Sequence, residues 1–181
     1  MARVQRRGYW ASRDGRAKSD RSHPDDEQHR LELGETLRAA WKAYGMHGRH
    51  RSFEVVGTRD WKASSLQMWA DRAHIRVRFE FDGLDVPPEL KEGPEGESFD
   101  EQRARAKAMI KSVREAQGVT GLEMDRRLDQ QYCVYHQWEK RLSDFQLAAM
   151  QRAARALGGV FRVELEHRHN PGLLRRINRK R

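Results

Sequence analysis

A helix-rich α+β domain is predicted for this 181-residue chain by three observations. Apolar residues recur at three- and four-residue steps through several long stretches, whereas around 75–81 and 160–166 they alternate with charged ones. Ser, Gly and Pro stand where one pattern gives way to the next. The expected architecture is a single domain, residues 24–169, with a small mostly antiparallel sheet of about three strands. A flexible basic arm at 1–23 and a basic tail or short helix at 170–181 flank it.

Residues 1–23 contain almost no aliphatic side chains and bury too little apolar area to offset their ordering entropy. Arg3, Arg6, Arg7, Tyr9, Trp10 and Arg13 interleave cations with aromatic rings, the combination that phosphate contacts and base stacking require. The simpler reading is a solvated arm whose rings dock on the body of the protein.

Ser22, Pro24 and the acidic run Asp25, Asp26 and Glu27 mark a helix start, since acids favour the positive end of a helix dipole. Leu33, Leu37, Ala40, Trp41 and Tyr44 form its apolar stripe, and Gly45 stops it. His47 and His50 have a spacing that could hold a metal, but no third ligand of matching pattern lies nearby. Phe53–Gly57 is a short strand candidate, and Trp61, Leu66, Met68 and Trp69 suggest a helix within 61–73. Ile75, Val77, Phe79 and Phe81 alternate with Arg76, Arg78 and Glu80, the mark of a strand with one buried face.

Residues 82–97 read as a loop, with Pro87, Pro88, Pro94, three glycines and six acids against Lys91. Such a loop is either a solvated insertion or an acidic flap that competes with a polyanion for basic arms. Ser98 and Glu101 then have capping-box spacing, predicting a helix to about Gln117 closed by Gly118. Phe99, Ala106, Ile110 and Val113 make its apolar side; Arg103, Arg105, Lys107, Lys111 and Arg114 populate the rest, a candidate surface for phosphates.

From 122 to 166 every local signal agrees. Leu128, Tyr132, Tyr135 and Leu142 predict one helix face. Ser143 with Gln146 predicts the cap of a second helix burying Phe145, Ala149, Ala153 and Leu157. Gly158 and Gly159 stop it, and Phe161, Val163 and Leu165 alternate with charges as a strand. If this strand pairs with 75–81, Arg76 and Arg78 lie across from Glu164 and Glu166. Asn170 and Pro171 can then start a short terminal helix exposing Arg175, Arg176, Arg179, Lys180 and Arg181.

Charge is partitioned. Residues 1–23 hold seven Lys/Arg against two Asp, and 162–181 hold seven against two Glu, so each end is net +5. With +9 in total, the 138 residues between them carry −1. This distribution predicts a non-enzymatic nucleic-acid-binding protein, a small subunit of a nucleoprotein complex, gripping DNA or RNA through both termini and the 99–117 helix. The alternative is a protein-interaction module, such as a phage or mobile-element inhibitor or assembly subunit, that binds an acidic protein surface.

A third reading is metal-dependent phosphodiester cleavage: His167 and His169 flank one residue on a strand, and Tyr132 or Tyr135 could act as nucleophile. The intervening Arg168 argues against it, since a cation sits poorly beside a metal. Cys133 and His136 could pair as a thiolate site, but among Tyr132, Tyr135 and Trp138 a buried thiol is the simpler reading. No cofactor is implied: the chain has no phosphate-cradling glycine loop, serine elbow, CxxC pair or calcium loop. No run is long enough to cross a bilayer and no secretion signal is visible, so no membrane partner and a cytoplasmic location are expected.

Overall fold

Two strands of the predicted alternation, β1 (Ile75–Asp82) and β2 (Val160–His167), pair antiparallel, with Ile75 opposite His167 and Asp82 opposite Val160. The computed structural model describes residues 23–43, 61–94, 96–130, 134–140 and 144–168. Among the described residues the sheet has two strands, fewer than the three expected; the third candidate, Phe53–Gly57, lies outside them. Around the sheet are α1 (Pro24–Ala43), α2 (Ala63–Arg72), α3 (Pro88–Lys91), α4 (Phe99–Ala116), α5 (Gly121–Arg127), α6 (Val134–Lys140) and α7 (Leu147–Ala156). None of them is long and apolar enough to cross a membrane.

The alternation in sequence becomes two faces of the sheet. Ile75, Val77, Phe79, Phe161 and Val163 are buried on one side, where Phe79 meets the rings of Phe99 and Phe145, each at 5.5 Å between centroids. Such tilted ring pairs add about 0.5–1.5 kcal/mol each beyond their area burial. The other side is polar, and its charges complement one another across the strands: Arg76 faces Glu166, Arg78 faces Glu164 and Glu80 faces Arg162. Arg78 also bridges diagonally to Glu166 at 3.1 Å, and Arg162 to Asp82 at 2.9 Å.

Helices α2 and α4 lie against β1, while α1 and α7 lie against β2. Helix α1 is fastened by polar contacts as well as by Leu33, Leu37, Ala40 and Trp41. The buried Asp26 carboxylate accepts from Arg155 at 3.1 Å, its carbonyl accepts from Gln151 at 3.2 Å, and the His29 Nε2 accepts from the Val163 N–H at 2.9 Å. That last contact occupies one backbone donor on the edge of β2 that faces away from β1.

Helix boundaries follow local chemistry, with three departures from the sequence reading. At α4 the capping box is formed on both sides, Ser98 Oγ accepting from the Glu101 N–H at 3.3 Å and Glu101 from the Ser98 N–H at 2.7 Å. Gly118 follows α4 at φ +66°. The single helix expected to carry Leu128, Tyr132, Tyr135 and Leu142 on one face is instead α5 and α6, broken after Leu128 where Asp129 turns left-handed at φ +49°; Tyr132 and Leu142 lie outside the described residues. The buried Asp125 carboxylate accepts the Tyr135 N–H at 2.7 Å and so satisfies a donor at the start of α6.

The next helix starts later than the Ser143 signal implied: α7 begins at Leu147, preceded by Gln146 with no side-chain cap, and Ser143 lies outside the described residues. The local competitor is a backbone tie, in which Leu147 N–H donates to the Trp61 carbonyl at 2.8 Å. The acidic 82–97 segment is not a purely solvated insertion, because Leu84 and Val86 are buried in the core and Pro88–Lys91 forms a helical turn.

Candidate functional site

Five cations of α4 form the one described segment of the predicted nucleic-acid surface, and each owes its position to the 3.6-residue repeat of a well-capped helix. Four of them are engaged within the protein. Arg103 bonds Asp100 and, at 3.0 Å, Asp144. The same Asp144 accepts the Ser64 N–H at 3.0 Å at the start of α2, so Arg103 ties α4 to that helix through a shared carboxylate. Burial works to raise the Asp144 carboxyl, but the hydrogen bonds from Ser64 and Arg103 outweigh it and hold the group below its ordinary value.

Arg105 binds Glu97 bidentately, Nε and Nη2 each at 2.8 Å, and donates through Nη1 to the carbonyls of Leu90 and Lys91, both at 3.0 Å. Arg114 grips Glu139 in the same fork geometry, at 2.9 and 3.1 Å, and donates to the Val119 carbonyl at 2.8 Å. Lys107 is buried; its Nζ donates to the Trp138 carbonyl at 2.8 Å and sits 5.1 Å from the Trp138 ring centroid. Burial lowers its pKa, with Glu139 opposing. Lys111 differs from the other four: its side chain is 54% exposed and its nearest carboxylate, on Glu115, is 4.0 Å away.

The remaining predicted contacts lie outside the described residues: Arg3, Arg6, Arg7, Tyr9, Trp10 and Arg13 at one end, Arg175, Arg176, Arg179, Lys180 and Arg181 at the other. His47, His50, Tyr132, Cys133 and His169 lie outside them too. His167 is buried at the end of β2, and among the described residues no group of three His, Cys, Asp or Glu side chains is placed to hold a metal. Tyr135, weighed as a nucleophile, is buried; burial first and then Glu139 raise the pKa of its hydroxyl, the direction opposite to activation.

One further surface was not foreseen. A groove of about 660 Å³ beside β1 is lined by residues of that strand, by the 91–94 segment and by Gln102, Arg105 and Met109 of α4. The sequence held one sign of it, a strand whose polar face carries two cations followed by two acids, Arg76, Arg78, Glu80 and Asp82.

Compared with protein-family models, with curated proteins and with solved structures, the chain matches none.

Proposed function

We propose that this protein binds nucleic acid without catalysing a reaction, through its two basic termini, with Lys111 as an accessory contact on the folded body, and that it serves as a small subunit of a nucleoprotein complex. The observation that carries this reading is the partition of charge: +5 at each end against −1 in the 138 residues between. The pairing of Arg103, Arg105 and Arg114 with carboxylates sharpens it, because cations already neutralised by the protein release few counterions from a polyanion.

The test is duplex and single-strand binding by the full chain across a salt series. Replacing Arg175, Arg176, Arg179, Lys180 and Arg181 with Gln is expected to flatten the plot of log affinity against log salt by about 0.9 for each lost duplex-phosphate contact. Lys111→Gln alone should flatten it by at most about one such step. Unchanged affinity and slope in the five-residue variant would remove the C-terminal tail from the interface and defeat the reading.

A further inference from the structure

The backbone of β1 presents a second hydrogen-bonding edge. Val163 directs its N–H away from β1, toward His29, so the Phe79–Val163 pair is a non-hydrogen-bonded pair of the ladder. By the two-residue alternation of an antiparallel pair, Val77 and Phe81 share that orientation, and all three point their N–H and C=O groups to the side away from β2. Among the described residues no strand pairs with that side, and the groove runs along it. An edge left unpaired by the described residues is a template for another strand.

The polar face of β1 says which strand. It carries Arg76 and Arg78 in its first half and Glu80 and Asp82 in its second, so an antiparallel strand of complementary charge must read cation, cation, acid, acid in its own direction. That is the pattern of β1 itself. Superposing the two about a twofold axis at Phe79 sets Arg76 against the second copy's Asp82 and Arg78 against the second copy's Glu80.

The β1–β2 register already places Glu164 beside Arg78 and Arg162 beside Glu80. A row across both molecules would therefore run Glu164, Arg78, then the second copy's Glu80 and Arg162, alternating in sign throughout. Burial and then the adjacent Glu164 raise the Glu80 carboxyl above its ordinary value, and the second copy's Arg78 would lie beside it as an opposing charge.

We infer that two copies of this chain associate through their β1 edges, antiparallel and centred on Phe79, to make one continuous four-stranded sheet. The interface is isologous, so association stops at the dimer. A strand-edge contact buries less than the roughly 1,200–2,000 Å² of a standard interface, so the dimer is weak and concentration-dependent. This inference stands apart from the nucleic-acid reading and holds or fails without it.

Nuclease-treated full-length protein is to be run in sedimentation equilibrium up to about 0.1 mM, where a dimer in the micromolar to tens-of-micromolar range is populated. The expected mass is twice 21.3 kDa. Arg76→Asp and Asp82→Arg each place two like-charge rows at the interface and should weaken association about tenfold or more, whereas a 1:1 mixture of the two variants restores opposite charges in both rows. Hydrogen exchange on the unaltered chain is a second readout: the Phe79 amide should gain protection as concentration rises. A monomer at the highest concentration, a dimer indifferent to both substitutions, or a Phe79 amide unaffected by concentration would each overturn the inference. So would saturable binding of a synthetic 75–82 peptide to a chain that stays monomeric, which would assign the edge to a foreign strand.

Discussion

At the scale of single residues, the arginines of α4 show how a surface charge in sequence becomes an internal bond in three dimensions. The Arg114 and Glu139 side chains are only 11% and 9% exposed, and they meet across the α4–α6 contact in a two-pronged pair. Removing one member of a pair this enclosed leaves the other charge uncompensated, at a cost of about 3–5 kcal/mol, whereas an exposed pair contributes at most about 1 kcal/mol. Arg114→Met is thus expected to lower the unfolding free energy by about 3 kcal/mol in urea titration, and Lys111→Met by less than about 0.5 kcal/mol. A loss for Arg114→Met no larger than for Lys111→Met would show that the pair is solvated after all. Helical spacing placed all five cations on α4, and that much was legible from sequence. Their partners were not, because Glu97, Glu139, Asp144 and the Trp138 carbonyl come from segments whose spatial approach no local pattern encodes.

At the scale of elements, legibility tracked how local the deciding interaction was. The Ser98–Glu101 box and the two alternating strands were readable, since each rests on neighbours a few residues apart or on a strict two-residue period; the pairing that sets Arg76 opposite Glu166 and Arg78 opposite Glu164 entered the sequence reading only as a condition, because it joins segments distant in the chain. The break between α5 and α6 was not, because it depends on Asp129 adopting a left-handed backbone and on the buried Asp125 capping the next helix from ten residues away. The start of α7 escaped for the same reason, being fixed by a tie to Trp61.

The glycine pair that ends α7 divides its labour. Gly158 takes the left-handed conformation at φ +90°, whereas Gly159 is needed for room: a Cβ there would lie 2.3 Å from Leu84 Cγ and 2.8 Å from the Asp82 carbonyl oxygen. Gly159→Ala should therefore push the entry of β2 away from the end of β1, costing about 1–3 kcal/mol as overpacking does. A thermal midpoint within about 1 °C of the parent would show that the turn relaxes freely.

At the scale of the whole molecule, one histidine makes stability depend on pH. Burial, with Arg162 adding and Glu32 and Asp26 opposing, holds the His29 imidazole below its ordinary value, and its neutral Nε2 is the acceptor for Val163. Because the folded protein binds this proton less readily than the unfolded chain, the unfolded state takes up more protons between the lowered value and about 6.5, and stability rises with pH across that window. The His29 contribution is fully present above pH about 6.5 and is lost as pH falls through the folded value. Chemical denaturation from pH 5 to 8 should show this slope in the parent and a flatter profile in His29→Gln; identical profiles would remove His29 as its source.

The antiparallel pairing of β1 with β2 has a further cost during synthesis. All of α3 to α7 separates the two strands in the chain, so β1 leaves the ribosome long before its mate exists. At about 5–20 residues per second the wait lasts several seconds, far longer than hairpins need to form. Throughout that interval a nascent polypeptide displays a strand with one apolar face and both flanks open, a standing opportunity for wrong strand pairing that ends only when translation reaches Val160.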